Sequence, residues 1–131
     1  MTLSSILLWF HLVGMAVWIG GTITVGAIVP ALRTSGASSE QLRAMARAFG
    51  RASWTALAVL VVTGIWQMVR AEDGAISEVA FGIKLMLVGV AGSLALLHQM
   101  TARTASPATR GIVQGLILLA SLGALAAAVA L

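Results

Sequence analysis

The chain has 131 residues, of which 60% are hydrophobic and 9% are charged, and it carries no cysteine and a net charge of +4. This composition is typical of an integral membrane protein, and it excludes a soluble globular domain, a disulfide framework and any site built on thiolates. Because a spanning helix needs about 20 mostly apolar residues, the length allows about four spans and no second domain.

Four apolar segments follow one another along the chain, at about 3–32, 53–69, 79–100 and 111–131. Each can cross, or nearly cross, about 30 Å of hydrocarbon. None alternates as a barrel strand would, and a helix satisfies every backbone group internally. The residues before the first segment lack the positive charge of a cleavable signal peptide. We therefore predict an all-α integral membrane four-helix bundle, formed by a single four-span domain over residues 1–131.

The polar stretch at about 38–51, between the first two spans, has the pattern of an amphipathic helix. Ser38 and Gln41 can form a capping box that starts this helix. Three arginines then recur at four-residue intervals on one face: Arg43, Arg47 and Arg51. The segment is interpreted as a cytoplasmic helix that lies on a membrane surface or, more simply, as a solvated extension of the second span.

The arginines predict the orientation of the spans. Those in the first and third connections are Arg33, Arg43, Arg47, Arg51, Arg103 and Arg110, whereas the second connection carries Glu72, Asp73 and Glu78. Basic connections stay in the cytoplasm, so both termini are predicted to be extracytoplasmic in a multi-pass protein of the cell membrane. Since this topology accounts for the net positive charge, nothing indicates nucleic-acid binding.

A histidine, His11, interrupts the first apolar segment. An ionisable residue inside a span is costly and usually marks a functional interior. Met15 and Trp18 follow it at i+4 and i+7 and therefore share its face of the helix. Three further residues of the predicted outer half are Met68, Lys84 and Met86. The sequence therefore predicts a site centred on His11 in the outer half of the bundle.

Simpler interpretations of these residues stay open. His11 can be hydrogen-bonded to a neighbouring helix without binding a ligand. Lys84 is near enough to the outer edge for its amine to reach the interface. His98 is interpreted as a solvated residue at the cytoplasmic edge, and each methionine can serve packing alone.

Glycines recur at heptad spacing or as GxxxG in three of the spans, which predicts close helix contacts. The pairs are Gly14 and Gly21, Gly82 and Gly89, and Gly111 and Gly115. A flat cofactor fits against such a helix as well as a second helix does, so the glycines do not decide between the two.

Three stretches of the chain together resemble the membrane domain of the copper-resistance D (CopD) family: HLVGMAVWIGG, FGRASWTALAVLVVTGIW and FGIKLMLVGVAGSLALLHQ. The positions that match its pattern are His11, Trp18, Gly20, Gly21, Thr63, Gly64 and Lys84. The resemblance covers nearly the whole chain and implies a membrane protein that takes part in copper transport or homeostasis.

The first and third spans are also similar to those of the HemJ-type protoporphyrinogen oxidases, in which a first-span histidine and a third-span lysine are tied to haem b. This similarity implies haem b binding by His11 and Lys84. Trp18, on the same face of the first span as His11, is also predicted to bind the cofactor. An enzyme of this kind is a haem-dependent oxidoreductase. The chain departs from that family at the end of the first span, where TITVGAIVPAL carries no charge.

Two functions from different classes follow. In the first, the protein binds copper, because the imidazole of His11 and the thioethers of Met15, Met68 and Met86 suit Cu(I). In the second, haem b is held with His11 as an axial ligand and Lys84 as the opposite ligand or a propionate partner, and the protein acts in redox chemistry. A third interpretation, a structural subunit of a larger membrane complex or a homo-oligomer, also stays open. No catalytic residue is predicted, because no span contains an acid and no serine is paired with a histidine at usable depth.

Overall fold

The computed structural model describes residues 1–71, 74 and 77–130. This part of the chain contains four α-helices and no strand. The helices are α1 (Leu3–Thr34), α2 (Ser39–Arg70), α3 (Glu78–Thr101) and α4 (Pro107–Ala130). Each helix is long and apolar enough to cross a membrane. The predicted all-α fold, with four helices of membrane-spanning length, is confirmed.

The chain divides into two compact units, Met1–Arg70 and Ala71–Leu131. In the first unit α1 packs against α2, and in the second α3 packs against α4. The prediction of one four-span domain over residues 1–131 stays a prediction. Two acids of the predicted acidic connection, Glu72 and Asp73, lie outside the described residues, as does Leu131 at the end of the fourth predicted span.

Helix α1 ends in a tight turn at Gly36, whose φ angle is +86°. The amide of Gly36 donates to the carbonyl of Arg33 at 3.1 Å, and the amide of Ala37 donates to the carbonyl of Leu32 at 3.0 Å. This is the hydrogen-bond pattern of a Schellman motif, which favours glycine because the left-handed conformation strains a residue with a Cβ. The turn reverses the chain within a few residues, so α1 and α2 form an antiparallel hairpin.

The start of α2 confirms the predicted capping box. The amide of Gln41 donates to Ser38 Oγ at 3.1 Å, and the amide of Ser38 donates to Gln41 Oε1 at 2.9 Å. From there α2 runs without a break to Arg70, so the polar stretch at 38–51 is the first part of a long helix. The helix that carries the second predicted span therefore begins well before residue 53. With 32 residues, α2 is about 48 Å long and exceeds the hydrocarbon thickness of about 30 Å.

The two helices of the first unit approach closely at two glycines of α1. A Cβ atom on Gly14 would lie 3.2 Å from the carbonyl oxygen of Ala56 and 3.2 Å from Leu60 Cγ. A Cβ atom on Gly21 would lie 2.9 Å from Phe49 Cε2. Both glycines therefore make the close helix contacts that their heptad spacing predicts.

The other two glycine pairs do not make such contacts. A Cβ atom on Gly82, Gly89, Gly111 or Gly115 would meet nothing within 4 Å among the described residues. In the second unit the close approach occurs instead at Gly123, where a Cβ atom would lie 3.1 Å from Leu87 Cδ1. Within the second unit these pairs therefore do not form the contact between α3 and α4. Spacing puts residues on one face of a helix and does not determine which face meets the neighbouring helix.

The surfaces of the helices carry large apolar side chains that are widely exposed within each unit. Val62 is 64% exposed and Val69 is 73% exposed. The buried side chains are few and mostly small, with Trp18 the largest of them at 5% exposure. Such apolar surfaces fit a lipid environment, where burial from water does not drive one helix onto another.

Aromatic side chains gather at the end of the first unit where α1 begins and α2 ends. Trp9 and Phe10 stack edge to face with their ring centroids 5.0 Å apart. On α2, the guanidinium carbon of Arg70 lies 5.4 Å from the centre of the Trp66 ring. Tryptophan and arginine are enriched where a helix meets the membrane interface, so this end of the hairpin has the chemistry of an interfacial belt.

Buried hydroxyl groups in the helices are mostly satisfied by the backbone. Thr22, Thr63 and Ser121 each donate to the carbonyl four residues earlier, at 2.6–2.7 Å. Ser53 is the exception among the described residues, since it is 8% exposed and its Oγ has no hydrogen-bond partner. An unsatisfied buried hydroxyl lowers stability, because the group loses its hydrogen bonds to water.

Replacing Ser53 by alanine is therefore expected to leave the free energy of unfolding unchanged or to raise it by up to about 1 kcal/mol. The matched control is Ser121→Ala, which removes a hydroxyl that donates to the Ile117 carbonyl at 2.7 Å and should lower stability by about 1 kcal/mol. Thermal unfolding in detergent, followed by circular dichroism, measures both. Equal losses in the two variants would show that the Ser53 hydroxyl has a partner in solution.

Candidate functional site

The candidate site begins with a hydrogen bond between the two helices of the first unit. His11 lies on α1, is partly buried and faces α2, where its Nδ1 atom is 2.8 Å from Thr63 Oγ1. Thr63 is only 6% exposed. His11 therefore does face the interior of the hairpin, as expected for an ionisable residue within an apolar span.

The direction of this hydrogen bond follows from the other contacts of Thr63. The Thr63 hydroxyl lies 2.6 Å from the carbonyl oxygen of Val59 and 3.4 Å from that of Leu60. A hydroxyl has one hydrogen to donate, and a carbonyl oxygen can only accept. The hydrogen therefore goes to Val59, and Thr63 Oγ1 accepts from Nδ1–H of His11. In the neutral imidazole this tautomer puts the lone pair on Nε2.

Gly64 allows the imidazole to lie close to α2. A Cβ atom at this position would be 3.3 Å from His11 Cε1 and 3.8 Å from His11 Nδ1. The absence of a side chain at Gly64 and the hydroxyl of the adjacent Thr63 thus fix the position and the tautomer of the His11 ring. A histidine held in this way loses little conformational entropy when it binds a ligand.

Thr63 was not among the predicted site residues, although it matches the family pattern. Its role follows from the antiparallel hairpin, because residues equally far from the turn lie opposite each other. His11 is 25 residues before Gly36 (36 minus 11), and Thr63 is 26 residues after Ala37 (63 minus 37). The position of the turn, together with the threonine, is the signal that could have identified this pair.

Two of the predicted methionine ligands lie in the same unit as His11. Met15 is partly buried and follows His11 by about one helical turn. Met68 is 40% exposed and follows Gly64 by about one turn of α2. Each therefore belongs to a helix face that includes the histidine or its contact.

Trp18 lies two turns from His11 and is buried in the hairpin. Thr22, on the next turn, donates its hydroxyl hydrogen to the Trp18 carbonyl at 2.7 Å. With 5% exposure, Trp18 is the largest buried side chain of the first unit. It anchors the packing below the His11–Thr63 pair, and its role in cofactor binding stays a prediction.

The remaining predicted site residues belong to the second unit. Lys84 lies on α3 and is partly buried, whereas Met86 is 61% exposed. His98, near the end of the same helix, is also partly buried. The structure describes each unit by itself, so the participation of Lys84 and Met86 in a site with His11 stays a prediction.

A shallow apolar groove lies beside the His11–Thr63 pair. It has a volume of about 310 Å³ and is lined by Phe10, Ala58, Val59, Val62 and Thr63. The volume is at the lower end of the range for small-molecule sites. The lining offers no charged group, so the groove suits the apolar part of a ligand.

The protein has no cluster of three or more histidine, cysteine, aspartate or glutamate side chains that could hold a metal ion, within residues 1–71, 74 and 77–130. A metal bound at His11 therefore needs other donors, of which thioethers are the nearest in sequence. Comparison with protein-family models, curated proteins and solved structures found no match to this chain. The resemblances to the two membrane families accordingly stay predictions.

Proposed function

We propose that the protein binds Cu(I) at His11 and takes part in copper transport or homeostasis in the cell membrane. The hydrogen bond between His11 Nδ1 and Thr63 Oγ1, at 2.8 Å, carries the proposal. Metal-binding histidines usually donate their other ring N–H to an oxygen acceptor, which fixes the tautomer and raises the basicity of the ligating nitrogen. The His11–Thr63 pair has this arrangement, with Nε2 as the ligating atom.

The donors around His11 favour Cu(I) over harder metals. Thioethers and imidazole suit Cu(I), whereas Mg²⁺ and Ca²⁺ prefer carboxylate and carbonyl oxygens. Met15, about one turn along α1, is the first thioether ligand in the proposal, and Met68 and Met86 complete the predicted set. No carboxylate is required at this site.

The site lies near one end of the hairpin, which favours exchange of ions with water. His11 is within one turn of Trp9, and Trp9 and Trp66 belong to the aromatic residues at this end. Under the positive-inside rule this end faces away from the cytoplasm, with both termini outside. The proposed ion therefore enters from the extracytoplasmic side.

The apolar groove beside Thr63 favours haem b as the second candidate. If haem b were bound, His11 would hold its iron, and the apolar lining that includes Phe10 and Val62 would suit the macrocycle. The residues that line the groove include no cation for the propionates. Lys84 is the candidate either for this role or for the second ligand of the iron. We rank haem second because the groove is small and open.

An absorbance spectrum combined with metal analysis of the detergent-purified protein tests the proposal. The protein would be produced with copper and haem supplied, and spectra recorded in the oxidised and dithionite-reduced states. We expect one copper per chain and no Soret band. A Soret band that shifts on reduction would replace copper by haem, and the lack of both ligands would leave a structural subunit of a larger complex.

Thr63→Val is expected to weaken Cu(I) binding about 10–100-fold, because the change removes the acceptor that orients His11 while keeping the shape of the side chain. The matched control is Thr55→Val on the same helix. Thr55 is exposed and its hydroxyl donates to the Arg51 carbonyl at 2.8 Å. Competition with a chromophoric Cu(I) chelator measures both affinities. Equal affinities in the two variants would show that the His11–Thr63 hydrogen bond has no part in metal binding.

A further inference from the structure

A second cluster of polar side chains lies in the second unit, where α3 ends and α4 begins. Helix α4 starts after Ser106, whose Oγ accepts from the amide of Thr109 at 3.1 Å. The amide of Ala105 donates to the carbonyl of Thr101 at 2.8 Å, which closes the turn between the helices. This short turn places His98, in the last turn of α3, within electrostatic range of Arg110, in the first turn of α4.

The register of the two helices agrees with this neighbourhood. Leu87 of α3 contacts α4 at Gly123. His98 lies eleven residues after Leu87 on α3, and Val113 lies ten residues before Gly123 on α4, so the antiparallel helices bring these two positions to a similar level. Arg110 is one turn from Val113. Arg110 is close enough to His98 for its charge to act on the imidazole.

Arg110 is partly buried and has a donor that the described residues leave unsatisfied. Its Nε atom is buried and has no hydrogen-bond partner among the described residues. A buried donor of a charged group is costly to leave without an acceptor, so the Nε of Arg110 favours the binding of an anion. The only acid among the described residues of this unit is Glu78, which lies twenty residues before His98, or about 30 Å along α3.

We propose that His98 and Arg110 form a binding site for a phosphate group at the α3–α4 turn. A guanidinium presents several N–H donors in a planar fork that matches phosphate oxygens, and an imidazole N–H can supply a further hydrogen bond. The described residues of this turn offer the Arg110 cation and the His98 imidazole, and they include no carboxylate that could neutralise Arg110. The phosphate is either the headgroup of an anionic phospholipid or a soluble phosphate, since both present the same oxygens.

Native mass spectrometry of the full chain with phosphatidylglycerol, and with phosphatidylcholine for comparison, tests the lipid source. Thermal unfolding of lipid-free protein with added inorganic phosphate tests the soluble source. The variant is Arg110→Gln, which removes the guanidinium with its unsatisfied Nε and is expected to fold, with unchanged helical circular dichroism as the check. The matched control is Arg103→Gln, because Arg103 is an exposed arginine of the same turn.

We expect the protein either to retain one phosphatidylglycerol or to unfold at a higher temperature when phosphate is added. Arg110→Gln should weaken the observed binding at least tenfold. His98→Gln should weaken it less, and Arg103→Gln should leave it unchanged. Retention of phosphatidylglycerol without a phosphate effect identifies the lipid headgroup, and the reverse identifies a soluble phosphate. Equal binding by the protein and Arg110→Gln, equal losses in Arg110→Gln and Arg103→Gln, or no binding of either probe would overturn the proposal.

Discussion

Replacing His11 by alanine should abolish tight Cu(I) binding. His11 is the only imidazole of the first unit, and its Nδ1 is already engaged by Thr63 at 2.8 Å. Loss of an outer hydrogen bond to a metal ligand weakens binding about 10–100-fold, so loss of the ligand itself should exceed that range. Competition with a chromophoric Cu(I) chelator, on protein purified in detergent, gives the affinity and the number of ions per chain.

The matched control for this prediction is His98→Ala, which removes the other histidine of the chain from a different unit. It should keep one Cu(I) per chain with unchanged affinity. Met15→Leu should retain a weakened site, because leucine has a similar volume and lacks the sulfur. Tight stoichiometric binding in His11→Ala would mean that copper binds elsewhere and that the His11–Thr63 hydrogen bond serves packing alone.

The fold could be predicted from sequence because the signals for it are local. Four apolar segments of sufficient length define the four helices, and the Ser38–Gln41 capping box depends on two residues three positions apart. The inward face of His11 could also be predicted, because an imidazole directed into lipid would be costly. These features do not depend on which helices are neighbours.

The rest depends on contacts between residues that are distant in sequence. The apolar residues define where a span can cross the membrane but not where its helix starts. The second predicted span begins at residue 53, for example, whereas α2 begins at Ser39. Thr63 lies opposite His11 because the turn at Gly36 sets the register of the hairpin, and this register depends on the contact between the two helices. That Ser53 Oγ has no hydrogen-bond partner among residues 1–71, 74 and 77–130 depends in the same way on the packing around this hydroxyl.

The packing of the first hairpin and its candidate site both depend on the register between α1 and α2. Gly14 is three residues after His11 and touches Ala56 and Leu60, whereas His11 touches Thr63 and Gly64. In a membrane, helices are held together mainly by close van der Waals contact and by hydrogen bonds between them. A side chain that separates the helices at Gly14 should therefore also pull the His11–Thr63 pair apart.

Gly14→Leu is accordingly expected to destabilise the hairpin by about 1–3 kcal/mol or more, because the new side chain meets backbone that cannot move aside. A Cβ atom alone would lie 3.2 Å from the carbonyl oxygen of Ala56. The same variant should also lose Cu(I) affinity, although it changes no proposed ligand. Thermal unfolding in detergent and the chelator competition measure the two effects on one sample.

Gly20→Leu is the matched control, because it makes the same change on the same helix where a Cβ atom would meet nothing within 4 Å. Leucine is a better helix former than glycine by about 0.5–1 kcal/mol, so this variant should be at least as stable as the parent and should bind Cu(I) as tightly. If both variants lose stability equally, Gly14 is not the point of close approach. If Gly14→Leu loses stability but keeps its Cu(I) affinity, copper binding does not require the contact between His11 and α2.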